Sequence, residues 1–430
     1  MPAPVQEPSR RRTHPGRTRT VAPMRTLIVT PYLPSFPGSG SCIRTYCLAR
    51  ELAGQHELRV LATSRLGGAP PGALTDLESF CQEVRVLEPP AGPSLRRGRV
   101  ARLASWVWSG VPLEVLALEP LRREFVRTAR AWLDEFRPEV LEINETLTLP
   151  LVEEVVRQTP VVMAVHNLVW RVAQRMVQHE ASWKTRLKGR LNMARLRAFE
   201  REVYRRPYHF VTCSEADRQG LLELAPQARV SVVPNGVDTD YFSSSADLGG
   251  DSERLLFTGK MEYAPNADAV EFFTAEIMPT IRKLCPAAHL EVVGMAPPVA
   301  LLDLAASNPS LTVHGEVPDV RPWYERCAIS VVPLRAGSGT RLKILEALSM
   351  RHAVVSTGIG AEGLDVVDGE HLLLADNPRD FAEKVLALMH DEDLRRRLGE
   401  NGRRLVRERY DWRKVAPLLA QAWEEAARGI

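Results

Sequence analysis

Short apolar runs separated by helical stretches recur through this chain, and they constrain its fold more than any other feature. In the first half they fall at 26–29, 58–61, 84–87, 140–143, 161–165, 210–212 and 230–233. Helical stretches separate most of them, at 44–52, 121–136, 149–157, 184–205 and 216–224. Strands that are apolar throughout are buried on both faces, and joined by helices they form a parallel, doubly wound α/β sheet. The turn formers of PNGVDTDYFSSSADLGGDSE, 234–253, interrupt the pattern and read as a linker. A second alternation follows, with strands at 255–258, 290–293, 311–313, 329–332 and 353–356 and helices near 268–284 and 340–350. Three further helical stretches close the chain, the last at 412–427. At 430 residues the chain is long enough for two full cores. The expected division is an N-terminal domain at 24–236, a linker at 237–253, a C-terminal domain at 254–411 and a last helix, 412–430, packing back toward the N-terminal domain. Ligands of such sheets lie outside the carboxyl ends of the strands, here in a cleft between two Rossmann-like halves.

Composition narrows the class. Apolar content of 45% and charged content of 25% are those of an ordinary globular protein. No run of 18 apolar residues exists, so no membrane-spanning helix is expected. Residues 1–23 hold five arginines and no apolar h-region, which reads as a disordered basic extension rather than a secretion signal. Six cysteines lie scattered without CxxC spacing, against a metal site or a disulfide framework and in favour of a reducing cytoplasm. Cys42 and Cys47 have no predictable histidine base nearby and read as structural.

The net charge of +3 hides an asymmetry, because residues 1–250 carry 34 basic and 26 acidic groups and the remainder 22 and 27. The excess concentrates at 1–23, 95–130 and 171–206. Any one stretch reads as a solvated face. Three together suggest an acidic partner: the anionic inner face of a membrane or a phosphate-bearing acceptor. Nucleic acid is not expected, since no binding motif and little aromatic interleaving accompany the charge.

One run carries a chemical signal. VPLRAGSGTRLKILEAL, Val332 to Leu348, reads as a strand, a glycine-containing turn (Gly337, Ser338, Gly339, Thr340) and a helix. Such a turn before a helix N-terminus attracts phosphate. The spacing is not that of a P-loop, since GxxxxGKS/T is absent.

Taken with its neighbours, this run resembles the metal-independent, retaining family-4 glycosyltransferases of GT-B fold (glycosyl transferases group 1). The resemblance extends from about Met24 to the C-terminus. It rests on TPYLPSFPGSGSCIRTYCLARELA from Thr30, AVHN from Ala164, VTCSEADR from Val211 and VVPNGVDTDYF from Val232 in the first half. In the second it rests on LLFTGKMEYAPNADAV from Leu255, LEVVGMAPP from Leu290, the segment from Leu311 through Leu348, and VVSTGIGAEGL from Val354.

The resemblance implies a nucleotide-sugar donor, a hydroxyl acceptor and no cofactor or metal. Glu346 matches the second glutamate of the family's paired motif, which binds the donor ribose. Read without the family, it is an i,i+3 partner of Lys343 on a solvated face. The motif's first glutamate, which contacts the transferred sugar, would fall at 338, where this chain has Ser338. Ser338 and the N–H groups of Gly339 and Thr340 are then expected to meet the sugar. Gly259 and Lys260 match the glycine and the basic residue that bind the diphosphate. A second expected lysine aligns near Asn266, so Arg335, Arg341 or Lys343 would have to compensate. His166, followed by Asn167, matches a histidine near the anomeric centre. Gly38, Gly40 and Arg44 match the loop after the first strand, which approaches donor phosphates or acceptor, and Glu362 is placed near the donor sugar. Two rivals stay open: a nucleotide-sugar epimerase of the same fold, and a non-catalytic nucleotide-sugar binding protein.

Overall fold

The computed structural model describes residues 22–63, 70–88, 112, 115, 118–156, 159–179, 182–243 and 250–429. Residues 1–21 of the basic extension, most of 95–117 and 244–249 of the linker lie outside the described residues.

Seven strands form the first sheet: β1 (Arg25–Val29), β2 (Glu57–Thr63), β3 (Glu83–Leu87), β4 (Val140–Asn144), β5 (Val161–Val165), β6 (His209–Thr212) and β7 (Arg229–Val232). All pair in parallel, in the order β3-β2-β1-β4-β5-β6-β7. The second sheet holds β8 (Asp251–Thr258), β9 (His289–Val293), β10 (Leu311–Gly315), β11 (Cys327–Val332), β12 (Ala353–Ser356) and β13 (Leu373–Leu374). It too is parallel, in the order β10-β9-β8-β11-β12-β13. Every residue of β4, β5, β11 and β12 is buried, including the polar Glu142 and Asn144 of β4. Strand order reverses between β1 and β4 and again between β8 and β11. Each reversal opens a crevice at the carboxyl ends of the strands.

Several elements differ from the sequence reading, among them the unexpected helices Ala73–Glu78, Val299–Ser307 and Arg321–Arg326. The helix Val169–His179 was not anticipated. Its first N–H groups are capped from 30 residues away, by the buried Glu200 carboxylate, which accepts from Trp170 N at 2.8 Å and Val169 N at 3.3 Å. No local capping residue could announce that start. The helix expected at 340–350 begins at Leu342, because Arg341 is extended at φ −92° and ψ 106°. The helix expected at 268–284 is Ala264–Phe272, a π-turn at Phe273–Ile277 and Met278–Leu284, with Pro279 unable to donate at the break. The helix expected at 149–157 is only Leu149–Val152.

The chain crosses between the sheets twice, side by side. Val237 N donates to the Tyr410 carbonyl at 2.8 Å where the two crossings meet. The second crossing leads into the helix Trp412–Ala427, which packs on the first sheet. Its Trp412, Val415, Leu419 and Trp423 share a core with Ile28, Leu52 and Val60. Trp423 is fully buried and donates from Nε1 to Glu142 Oε2 at 2.7 Å. Trp423→Ala should therefore lower the unfolding free energy by about 3–5 kcal/mol, since it leaves a large cavity and strips a buried carboxylate of a donor. Urea unfolding followed by tryptophan fluorescence measures it, and a loss below 1 kcal/mol would contradict this packing account.

Candidate active site

At the carboxyl ends of β8 and β11 the second sheet gathers two cations and a carboxylate. Gly259 ends β8 at φ +147°, and a Cβ there would lie 2.8 Å from Lys343 Nζ and 2.9 Å from Asn266 Nδ2. The hydrogen side chain is what lets Lys343 approach the turn. Lys343 Nζ donates to Asn266 Oδ1 at 2.9 Å and lies 3.9 Å from the centre of the Phe257 ring. Asn266 Nδ2 donates to the Lys260 carbonyl at 2.8 Å. Asn266, where a lysine was expected, thus fastens a lysine from the helix Leu342–Ser349. Lys260 itself pairs with Glu262 at 2.7 Å.

Glu346 lies one turn beyond Lys343, hydrogen-bonded to the Tyr324 hydroxyl, which is 3.3 Å from Thr258 Oγ1. Burial pushes the Glu346 carboxyl up to about 7 against the opposing pull of Lys343 and Tyr324. Burial, aided by Arg341, pushes Lys343 down to about 7, with Glu346 opposing. Both groups resist charging while the site is empty.

The remaining cations are engaged elsewhere. Arg335 forks Asp268 at 3.0 and 2.6 Å and covers the Phe272 ring. Arg341 turns back onto the Ser338 and Gly339 carbonyls. Arg44 is 2% exposed and bonds the Val233 and Pro234 carbonyls and Asn235 Oδ1, tying the helix Gly40–Ala53 to the first crossing. Of the three expected compensators for the missing lysine, only Lys343 stands at the β8 turn.

The turn 337–340 does not stand free as an anion site. It is docked on the first domain. Ser338 Oγ accepts from Leu168 N at 2.8 Å, and the Ser338 carbonyl accepts from the Asn167 amide at 2.7 Å. Gly339 N donates to Asp217 Oδ1 at 3.3 Å, and the Thr340 carbonyl accepts from Asn235 Nδ2 at 2.9 Å. Gly339 has φ +72°, and a Cβ on it would lie 2.6 Å from the His166 carbonyl oxygen. Arg175 bonds the Gly337 carbonyl and forks Glu362 at 2.6 and 2.7 Å. Burial raises the Glu362 carboxyl, but Arg175 lowers it by more, so it stays ionised. Ser338 Oγ, the Gly339 N–H and the Glu362 carboxylate are thus bonded to the first domain in this arrangement. A serine is short enough to lodge against Leu168 N. At the first-strand loop, Gly38 packs on Ser35, and Gly40 begins its helix 3.7 Å, measured from a built Cβ, from Leu342 of the other domain.

Facing this seam, His166 ends β5 and is 5% exposed. Its Nδ1 lies 3.2 Å from the Tyr32 hydroxyl and 3.2 Å from Glu145 Oε1. The same carboxylate oxygen accepts from Ser41 Oγ at 3.0 Å. Sequence reasoning missed Glu145, although it stands just after β4, the same kind of strand-end position that drew attention to His166 after β5. All six cysteines are buried and free, and burial pushes the Cys47 thiol up to about 12, so they pack rather than react. Among the described residues, no group of three His, Cys, Asp or Glu could hold a metal ion.

Comparison with known proteins agrees with this architecture. Residues 39–241 match the family described as Glycosyltransferase Family 4, and residues 252–391 match Glycosyl transferases group 1. Two glycosyltransferase family models thus match consecutive segments of the chain. It is 28% identical over 207 residues to a phosphatidyl-myo-inositol mannosyltransferase of Mycobacterium tuberculosis, covering 45% of this chain and 54% of that one. It is 34% identical over 109 residues to an uncharacterized glycosyltransferase of Methanocaldococcus jannaschii, covering 25% and 30%. The chain thus spans about half or less of the length of these curated relatives. Among solved structures it superposes on sucrose-phosphate synthase from Thermosynechococcus elongatus with a TM-score of 0.69 at 16% identity, covering 94% and 98%. It also superposes on Anabaena HepE in complex with UDP and glucose, with a TM-score of 0.63 at 15% identity, covering 94% and 100%. These likenesses establish the GT-B fold.

The strained charge states of the site lead to a measurable consequence. A carboxyl whose folded value is raised costs no stability at low pH, and the cost grows as pH rises from the unfolded value through about 7. Glu346→Gln should therefore raise the melting temperature of the ligand-free protein at pH 8 and leave it nearly unchanged at pH 4. A fall at pH 8 in differential scanning calorimetry would show that the carboxylate is not a strained group.

Proposed function

We propose that this chain is a retaining, metal-independent glycosyltransferase that moves a sugar from a nucleoside diphosphate sugar to an acceptor hydroxyl in glycoconjugate synthesis. The observation that carries the reading is that Lys343 and Glu346 stand at the β8/β11 reversal, with Lys260 in the turn that follows β8. Glu346 accepts the ribose hydroxyls, for which a carboxylate is suited because charge-assisted hydrogen bonds are strong. Lys260 and Lys343 meet the diphosphate, and its negative charge restores the ammonium form of Lys343 that burial opposes. Cations placed where the leaving diphosphate gains charge stabilise the transition state. His166 stands at the sugar.

In the front-face route, the acceptor oxygen bonds to the anomeric carbon as the bond to the diphosphate breaks. The acceptor proton passes to a phosphate oxygen of the leaving group. The protein's share is orientation and electrostatics. Since turn 337–340 is docked, donor entry parts the Arg175–Glu362 fork and moves Ser338 off Leu168, and reclosure shields the donor from water. The bound UDP and glucose of the HepE structure support a uridine donor.

A thermal-shift screen of nucleotide sugars, followed by calorimetry and transfer assays with the best binder, tests this reading. Glu346→Ala should weaken donor binding about 10–100-fold, the equivalent of about 1–3 kcal/mol. Unchanged affinity would remove Glu346 from the donor site, and epimerised sugar formed without acceptor would favour the rival isomerase.

The acidic partner is an anionic membrane surface, in keeping with a place at the cytoplasmic face of the membrane. No helix among the described residues is long and apolar enough to cross a bilayer. The helix Trp183–Tyr204 instead exposes Trp183, Leu187 and Leu191, at 69%, 62% and 47%, spaced four apart along one face. Lys184, Arg186, Lys188 and Arg190 alternate with them, and the first acidic residue of the helix is Glu200. Apolar residues beside dense basic charge suit a helix lying in a lipid headgroup layer. Vesicles rich in anionic lipid should float with the protein at low salt, and the triple change Trp183→Ser, Leu187→Ser, Leu191→Ser should abolish that. Equal flotation on neutral vesicles would count against it.

A further inference from the structure

Glu145 Oε1 lies 3.2 Å from His166 Nδ1, and the Glu145 backbone marks it out. It has φ 68° and ψ 132°, a combination that side chains other than glycine rarely adopt. Its own N–H is nevertheless fixed to the Ala164 carbonyl at 2.9 Å, so the distortion lies in a well-anchored stretch beside β5. The result is a carboxylate turned onto both Ser41 Oγ and His166 Nδ1. Strained residues held by firm surroundings cluster at functional sites, because the strain places a group where an ordinary turn would not.

We propose that Glu145 is a positioning residue that fixes the tautomer of His166. An ionised carboxylate oxygen 3.2 Å from Nδ1 repels a lone pair on that nitrogen and so favours a proton there, which the Tyr32 hydroxyl oxygen can accept. That leaves Nε2, which has no hydrogen-bond partner among the described residues, as the nitrogen offered to substrate. The alternative tautomer is available to this ring. Tyr32 O–H, 3.2 Å from the same Nδ1 and 3.2 Å from Thr45 Oγ1, can donate to an unprotonated Nδ1 as readily as to Thr45. Glu145 decides between the two. The chain of contacts is anchored in the core: Thr45 reaches Asn144 at 3.4 Å, and Asn144 donates to Glu142, which also receives Trp423. A rigid support of this kind holds a ring orientation that a solvated carboxylate could not.

The inference rests on the sugar-transfer reading for its consequence but not for its first test. Nitrogen-15 correlation spectra of histidine-labelled full-length protein, at about pH 8.5 where an ordinary imidazole carries a single ring proton, report the tautomer directly. The His166 signal is assigned by its loss in His166→Gln. Wild type should show the proton on Nδ1, Glu145→Leu should move it to Nε2, and Glu145→Gln, which keeps an oxygen acceptor, should hold it on Nδ1. With a donor in hand, Glu145→Leu should lower kcat about 100-fold while donor affinity by calorimetry stays unchanged, and Glu145→Gln should recover most of the rate. A wild-type proton on Nε2, or one that stays on Nδ1 in Glu145→Leu, overturns the proposal whatever the activity. Should Glu145→Leu fail to fold, the wild-type spectrum and the Gln variant still decide it. Absence of any donor binding would instead sink the transferase reading and leave the tautomer result standing.

Discussion

The close approach of Gly339 to the His166 carbonyl is the contact on which the two halves of the site depend. A Cβ at 339 would stand 2.6 Å from that oxygen, so only a hydrogen side chain admits the seam. Around it, Leu168 N, the Asn167 amide, Asp217 and Asn235 satisfy Ser338, Gly339 and Thr340 of the opposite domain. Each bond contributes little net free energy, but each group would be costly to leave buried and unpaired. The seam is therefore closed as a unit, and it holds Lys343 and Glu346 on one side opposite His166 and Glu145 on the other.

Around that seam the site is electrostatically uncomfortable. Lys343 is drawn toward its neutral form by burial, and Glu346 toward its protonated form. Charging either group at this depth costs stability. Elsewhere the charges are matched, with Arg335 on Asp268 and Arg175 on Glu362. The contrast separates groups that hold the frame from groups kept for a ligand.

Much of this was legible in the sequence because its signals are local. The runs that became β5 and β12 needed only their apolar character and length, and the glycine and lysine after β8 announced a strand-end turn. The helix Val169–His179 was illegible because Glu200, its cap, lies a whole helix away. Asn266 reads as a lost cation until the fold brings Lys343 onto it. Glu145 carries no motif, and its role rests on a backbone angle and on neighbours 104 residues before it and 21 after it.

The sequence by itself determined two parallel α/β domains, set Lys260 and His166 just after strands and put Glu346 on a helix. Periodicity and strand-end position are properties of neighbouring residues. Only the tertiary structure decided how the cations are paired, that Ser338 bonds Leu168 across the seam, and that Glu145 stands beside His166. Those outcomes depend on which atoms from distant segments come within hydrogen-bonding distance, and that is set by how the two sheets and the returning helix pack.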